Sequence, residues 1–270
     1  MSYDRIQIEQ LDDDRILRIS LDNPPHNVID STMLSELTAS FEAADRSTEI
    51  QGMLLTSDED VFCAGADVDE LASLEFEDGT RWLTAYLETI DVLRQTGKPV
   101  VAAVGGTCVA GGNELVMGCD LIVASQSARF GQPEVGVGST AAGGGVQLLP
   151  LIVGEKRARE MLLTGELLTA ADAERYGLIN RVVADGSEER EAVELLEHIL
   201  DTASPQAYRS IKSVLSMWTN FGMIHKEVAR DMTARVWASD EFKERVETFK
   251  EGESQRPRSF TGSRPTDSVK

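Results

Sequence analysis

Two glycine-rich turns and two glutamates are the residues of this chain whose types and spacing can do chemistry. The first turn is Phe62-Cys63-Ala64-Gly65-Ala66-Asp67 and the second is Val109-Ala110-Gly111-Gly112-Asn113-Glu114. Each follows a strand-like apolar run and precedes a helical one. Small residues let a ligand approach the backbone closely. The first N–H groups of a helix have no partner inside it and point outward. Two such turns side by side offer two N–H donors to one oxygen, the physical form of an oxyanion hole. A tight strand-to-helix connection explains either turn taken alone. Glu114 falls in the first turn of its helix, where the macrodipole alone favours a carboxylate. Glu134 follows Phe130-Gly131-Gln132-Pro133, where a loop glutamate is ordinarily solvated. Taken singly, each glutamate reads as structural.

Other chemical motifs fail on context. Gly136-Val137-Gly138-Ser139-Thr140-Ala141 fits the dinucleotide pattern GxGxxA, but Gln132-Pro133-Glu134 before it is no strand, since proline interrupts a ladder. No Walker lysine follows a glycine-rich stretch, and no GxSxG elbow or HExxH is present. The histidines, His26, His198 and His225, lie far apart and lack metal spacing. No metal site is expected.

The elements that must position these turns are legible from periodicity. Ile6 and Ile8, then Ile16 to Leu21, read as two strands joined around Asp12-Asp13-Asp14 in a hairpin. Asn23-Pro24-Pro25 ends the second strand. A helix follows from Ser31 with Met33, Leu37, Phe41 and Ala44 on one face, capped by Asp30 or Ser31. Met53-Leu54-Leu55 is a short buried strand. A helix is expected from about Thr80 to Gln95, stopped by Gly97-Lys98-Pro99. Val100 to Val104 and Leu121 to Ala124 are continuous apolar runs, the pattern of strands buried on both faces. Alternating strands and helices indicate an α/β core. From about Ala170 to Phe249 the spacing is mostly helical, with breaks at Ala203-Ser204-Pro205 and Phe221-Gly222. The tail after Gly252 is polar and expected to be loose.

Composition narrows the class. The chain has 270 residues, 41% apolar and 27% charged, enough for a full core. Net charge is −20, with only seven lysines, so nucleic acid and anionic membranes would be repelled. Such acidity suits a salt-loving host and equally serves solubility. Cys63, Cys108 and Cys119 form no CxxC pair, which suits a reduced, cytoplasmic setting. The first residues, Met1-Ser2-Tyr3-Asp4-Arg5, contain no apolar signal segment, and the stretch from Val100 to Ala124 is too interrupted to span a bilayer.

Taken in order, three segments resemble the enoyl-CoA hydratase/isomerase (crotonase) superfamily. FCAGADVDEL (Phe62 to Leu71) resembles its first oxyanion loop. KPVVAAVGGTCVAGGNELVMGCD (Lys98 to Asp120) resembles its second loop with the following helix and strand. FGQPEVGVGSTAAGGGVQLLP (Phe130 to Pro150) resembles the segment that carries its second acid. The resemblance runs from about residue 4 to 250. It implies an α/β fold, a crotonase-like ββα spiral core at 1–195, and a helical C-terminal oligomerisation region with a loose tail at 196–270. It implies oxyanion donors at the N–H groups of Ala66 and Gly111, and a catalytic pair of Glu114 and Glu134, with Glu134 the protonating acid and Glu114 the water-orienting base. His26, Val28, Ala64, Asp67, Val68 and Pro133 are the substrate-binding positions it implies.

The activity implied is hydration of a 2-enoyl-CoA, with no cofactor beyond the CoA of the substrate and a homotrimer or homohexamer as the assembly. Members that only isomerise commonly lack one of the two acids. Several positions depart from the family: Gly105-Gly106 where Asn-Gly is usual, Ser139-Thr140-Ala141-Ala142 where Pro-Gly is frequent, Leu148 and Leu151 where arginines are common, and Asp69 where lysine is frequent. With so acidic a chain, Lys98, Arg256 and Arg258 are candidate partners of the CoA phosphates. The alternatives are an enoyl-CoA isomerase, a cyclic dienoyl-CoA hydratase, an acyl-CoA hydrolase, a non-catalytic CoA-binding protein, and a dinucleotide oxidoreductase built on the Gly136 stretch.

Overall fold

The computed structural model of the chain describes residues 3–12 and 14–256. Strands β1 (Ile6–Leu11) and β2 (Ile16–Leu21) form the expected antiparallel hairpin, with Ile6 opposite Leu21 and Leu11 opposite Ile16. Asp12 and Asp14 turn the chain at positive φ, which aspartate tolerates better than most residues. Asp30 caps α1 (Ser31–Arg46), its carboxylate accepting from the Met33 N–H at 2.7 Å.

The chain then repeats one pattern. It lays a strand in a large sheet, a shorter extended piece in a small sheet, then a helix. The first round is β3 (Gly52–Ser57), an extended bridge at Cys63, and helices α2 (Val68–Ala72) and α3 (Phe76–Gln95). The second is β4 (Val100–Val104), β5 (Thr107–Val109) and α4 (Gly111–Met117). The third is β6 (Leu121–Ser125), β7 (Arg129–Gly131), a 3-10 turn at Pro133–Val137, then α5 (Gly145–Val153) and α6 (Glu155–Thr164). β8 (Leu168–Thr169), α7 (Ala170–Tyr176) and β9 (Arg181–Val183) complete the core. The large sheet has the order β1-β2-β3-β4-β6-β9, and the small sheet β5-β7-β8. From β2 to β9 all pairs of the large sheet are parallel.

Parallel strands need cover on both faces, which explains their uninterrupted apolar runs. One face packs against Met33, Leu37 and Phe41 of α1 and Leu83 and Ile90 of α3. The other is covered by α8 (Glu188–Thr202), whose Ala192 and Leu196 rest on Ile16, Leu54, Val101 and Val123. The 195/196 division falls inside this helix.

Two expectations are refined. α3 begins at Phe76 rather than near Thr80, and its added first turn contains Gly79, which packs beside Ala234 and Trp237. β9 lies within a stretch that reads as helical. Three residues are too short to show a period, and pairing with β6 decides their conformation.

Three further helices follow, α9 (Pro205–Thr219), α10 (Lys226–Trp237) and α11 (Asp240–Lys250). The buried Lys212 anchors α9, donating to Asp120 at 2.7 Å and to the Lys98 carbonyl at 2.8 Å. Much of the opposite face is apolar yet open, including Ile211, Val214, Leu215, Met217 and Trp218, the last 70% exposed. α10 packs on α3, with Trp82 and Trp237 edge to face. α11 reaches α2 through an ion pair of Lys250 with Asp69. Arg258 and the tail from 257 onward lie outside the described residues.

Candidate functional site

The small sheet brings the two glycine-rich turns together. Cys63 bridges Cys108 as parallel strands do, with the Cys63 N–H on the Thr107 carbonyl at 3.1 Å and the Val109 N–H on the Cys63 carbonyl at 3.0 Å. The glycines then let the two backbones touch. A Cβ on Gly65, whose φ is +101°, would sit 2.6 Å from the Ala110 Cβ and 3.1 Å from the Gly111 N. A Cβ on Gly112 would sit 2.6 Å from that of Cys63. These are contacts only glycine permits.

The amides of Ala66 and Gly111 lie side by side for the same reason, since a Cβ on Gly111 would be 3.4 Å from the Ala66 N. The bridge between Ile29 and Ala66 uses the Gly65 carbonyl and the Asp67 N–H, and so leaves the Ala66 N–H out of the ladder. The Gly111 N–H opens α4 and has no partner inside that helix. Among the described residues neither amide meets an acceptor. Ala110 between the strand and α4 has φ 51° and ψ −126°, a conformation that costs a non-glycine residue of order 1–3 kcal/mol.

Glu114 is 3% exposed and accepts the Gly145 N–H at 2.7 Å. Burial pushes its carboxyl well above the carboxylate range, and the neighbouring Glu134 pushes it further. The backbone N–H groups of Gly145 and Gly143 and the Tyr86 hydroxyl pull the other way. Gly143-Gly144-Gly145 thus forms a backbone cradle for this side chain. Glu134, at the start of the 3-10 turn, is pushed up to about 7 by burial. The Gln132 side chain joins the two sections of the site. With its amide nitrogen turned toward Glu134 it donates at 2.8 Å, while its oxygen accepts from Asn113 at 3.1 Å.

Both glutamates line one cavity of about 300 Å³, together with Ala64, Ala66, Val68, Gly111 and Pro133. His26, Val28 and Asp67 do not line it. The exposed His26 gives its carbonyl to the Ala64 N–H at 3.0 Å, Val28 gives its carbonyl to Asn23 at 2.8 Å, and Asp67 caps α2. Five aromatic residues, Trp82, Tyr86, Trp237, Phe242 and Phe249, stand in the remaining wall. Sequence reasoning placed Trp82 and Tyr86 in no site, because at helical spacing an aromatic residue looks like core. The triple glycine at 143–145 was the visible signal for the cradle.

Lys98 is not available to a phosphate. It is 5% exposed, and its ammonium donates to the carbonyls of Ala44 and Ser47 at 2.5 and 2.6 Å, closing the C-terminus of α1. Gly136 to Ala141 runs through the end of a 3-10 turn into a loop, so the strand that a dinucleotide fingerprint requires is absent there. No helix among the described residues is long and apolar enough to cross a membrane.

The chain is similar to known proteins over most of its length. The family model for enoyl-CoA hydratase/isomerase matches residues 12–261. A Rhizobium meliloti (strain 1021) protein named "Probable enoyl-CoA hydratase" is 37% identical over 215 residues, covering 79% of this chain and 82% of its own length. The crystal structure of an enoyl-CoA hydratase/isomerase from Xanthobacter autotrophicus Py2 superposes with a TM-score of 0.84 at 28% identity, covering 93% of this chain and 94% of the other. The human mitochondrial delta3-delta2-enoyl-CoA isomerase shares the fold, with a TM-score of 0.85 at 22% identity over 92% of this chain and 98% of the other.

Proposed function

Because this chain belongs to the enoyl-CoA hydratase/isomerase family, we propose that it adds water across the α,β double bond of 2-enoyl-CoA thioesters. The observation that carries this reading is the pair of raised carboxyls in one cavity with two unpartnered backbone amides. The β-carbon of an enoyl thioester is electrophilic. Glu114 takes a proton from water as its oxygen bonds to that carbon. The electron pair of the double bond moves to the thioester oxygen, and the N–H groups of Ala66 and Gly111 stabilise the enolate there. Loss of one such donor typically costs about 3–4 kcal/mol. Glu134 delivers its proton to the α-carbon, giving a 3-hydroxyacyl-CoA. A proton passed from Glu114 to Glu134 restores the pair. The reaction so written needs no metal or redox cofactor.

The aromatic wall is where we place the acyl chain. Arg256, exposed and next in sequence to Gln255 of the cavity lining, is the remaining described candidate for a CoA phosphate. The open apolar face of α9 supports a homotrimer or homohexamer. Free cysteines and a CoA substrate suit the cytoplasm.

The test is turnover of crotonyl-CoA, followed by loss of its conjugated-thioester absorbance. Glu114→Gln and Glu134→Gln should each cut the rate by at least about a hundredfold with the fold intact. Unchanged turnover in either variant refutes the pairing. Conversion of 3-enoyl-CoA without hydration of crotonyl-CoA makes the protein an isomerase instead.

A further inference from the structure

Tyr86 lies in the middle of α3, 2% exposed, and borders the cavity. Its neighbours Leu87 and Ile90 are plain core. Its hydroxyl is not. The O–H donates to the Gly111 carbonyl at 2.5 Å. The ring meanwhile packs against the glutamate cradle. A Cβ on Gly143 would fall 2.1 Å from the Tyr86 Cε1 and 2.6 Å from the Glu114 Oε2. Burial holds the phenol neutral, so it remains a donor.

The direction of the Gly111 N–H is set by ψ of Ala110, whose backbone is held in an unfavourable region. Such a conformation persists only where its surroundings over-determine it. The Ala110 N–H is fixed on the Gly131 carbonyl at 2.9 Å, and the Ala110 carbonyl accepts the Glu114 N–H at 3.0 Å. The next carbonyl along the chain is the one Tyr86 holds. The Glu114 N–H thus holds the peptide that carries the Gly111 N–H, and the Tyr86 hydroxyl holds the peptide after it, so Gly111 is pinned from both sides.

We propose that Tyr86 is a positioning residue, whose hydrogen bond to the Gly111 carbonyl keeps the Gly111 N–H aimed at the thioester oxygen. This rests on the oxyanion role given to Gly111 above. Tyr86→Phe keeps the ring and removes the hydroxyl, and with it both the bond to the Gly111 carbonyl and the pull on Glu114. Its kcat for crotonyl-CoA should fall about ten- to a hundredfold, less than the full loss of an oxyanion donor, with KM within about twofold.

A binding measurement separates this from a general structural effect. The enolate of acetoacetyl-CoA places negative charge on the thioester oxygen, whereas butyryl-CoA does not. Tyr86→Phe should bind the enolate about tenfold more weakly and butyryl-CoA equally well. Ala110→Gly relaxes the same peptide by another route, so the enolate losses of the two variants should be less than additive. Equal losses for both ligands, additive losses, or wild-type behaviour of Tyr86→Phe overturn the assignment. A wild-type protein that hydrates crotonyl-CoA beside an unaffected Tyr86→Phe variant sinks this inference alone. A wild-type protein that hydrates nothing, but whose enolate affinity depends on Tyr86, sinks the hydratase reading and leaves the role of Tyr86 standing.

Discussion

The Trp237 indole N–H donates to the Ser139 hydroxyl at 2.7 Å, joining α10 to the loop that follows Glu134. Thr140 and Thr233 make a second bond between the same segments at 2.5 Å. Arg245 adds a third, donating to the Gly136 carbonyl at 3.3 Å. The C-terminal helices therefore brace the acid-bearing segment from outside. Ser139→Ala leaves a buried indole N–H unpaired, at a cost of about 1–3 kcal/mol. Thermal unfolding should shift down by at least about 2 °C, and kcat should fall more than KM changes. An unaltered unfolding midpoint would show that the brace contributes nothing.

The glutamate pair makes activity depend on pH on both sides. At low pH both carboxyls are protonated and no base is present. Loss of one proton creates the working form, and loss of the second removes the acid. Burial raises both carboxyls, Glu134 to about 7, and repulsion from Glu134 raises Glu114 further. The profile of kcat/KM between about pH 5 and 10 should be a bell, with one limb near 7 and both apparent values belonging to the pair. Glu134→Gln should abolish one limb. A flat profile contradicts this.

Stability should vary in the opposite sense to that of an ordinary ion-paired carboxylate. A carboxyl whose folded pKa is raised binds its proton more tightly in the folded state. Its favourable contribution is complete below the unfolded value near 4.3 and is lost as pH rises through the folded one. For Glu134 that window runs from the ordinary glutamate range up to about 7. Glu134→Gln should therefore unfold at a higher temperature than wild type at pH 8, with the advantage vanishing near pH 4. Differential scanning calorimetry at the two pH values decides it.

The glycine cradle admits no side chain. A methyl on Gly143 would press on both Tyr86 and Glu114 at the distances given above. Gly143→Ala should displace the carboxyl and lower crotonyl-CoA hydration by about a hundredfold or more. Circular dichroism should still report a folded protein. Activity within twofold of wild type would mean that the Glu114 position is not critical.

Asp120 ties α9 to the sheet, accepting from the Val100 N–H at 2.9 Å, Lys212 at 2.7 Å and Tyr208 at 3.1 Å. Lys212→Met removes the cation and leaves a partly buried carboxylate without its counter-charge. The cost should be about 1–3 kcal/mol. Denaturant titration should show a lower midpoint with an unchanged slope. A midpoint equal to that of wild type would show the ion pair to be neutral.

The sequence by itself determined what depends on neighbours along the chain. The Asp30 cap, the hairpin at Asp12, the apolar runs of β2, β4 and β6, and the small residues at Gly65 and Gly111 all follow from short-range rules of period, turn and steric size. Resemblance to a family named the two glutamates. Tertiary structure alone decided which distant groups meet. Tyr86 has the spacing of a core residue, and only the approach of α3 to α4 makes its hydroxyl a donor to Gly111. Lys98 has the charge of a phosphate ligand, and only the end of α1 beside it consumes that charge. The raised carboxyls of Glu114 and Glu134 exist because folding removes water from both and sets Glu134 beside Glu114. Periodicity records which face a residue turns inward. It does not record what waits there, because that contact forms only when segments far apart in sequence have packed.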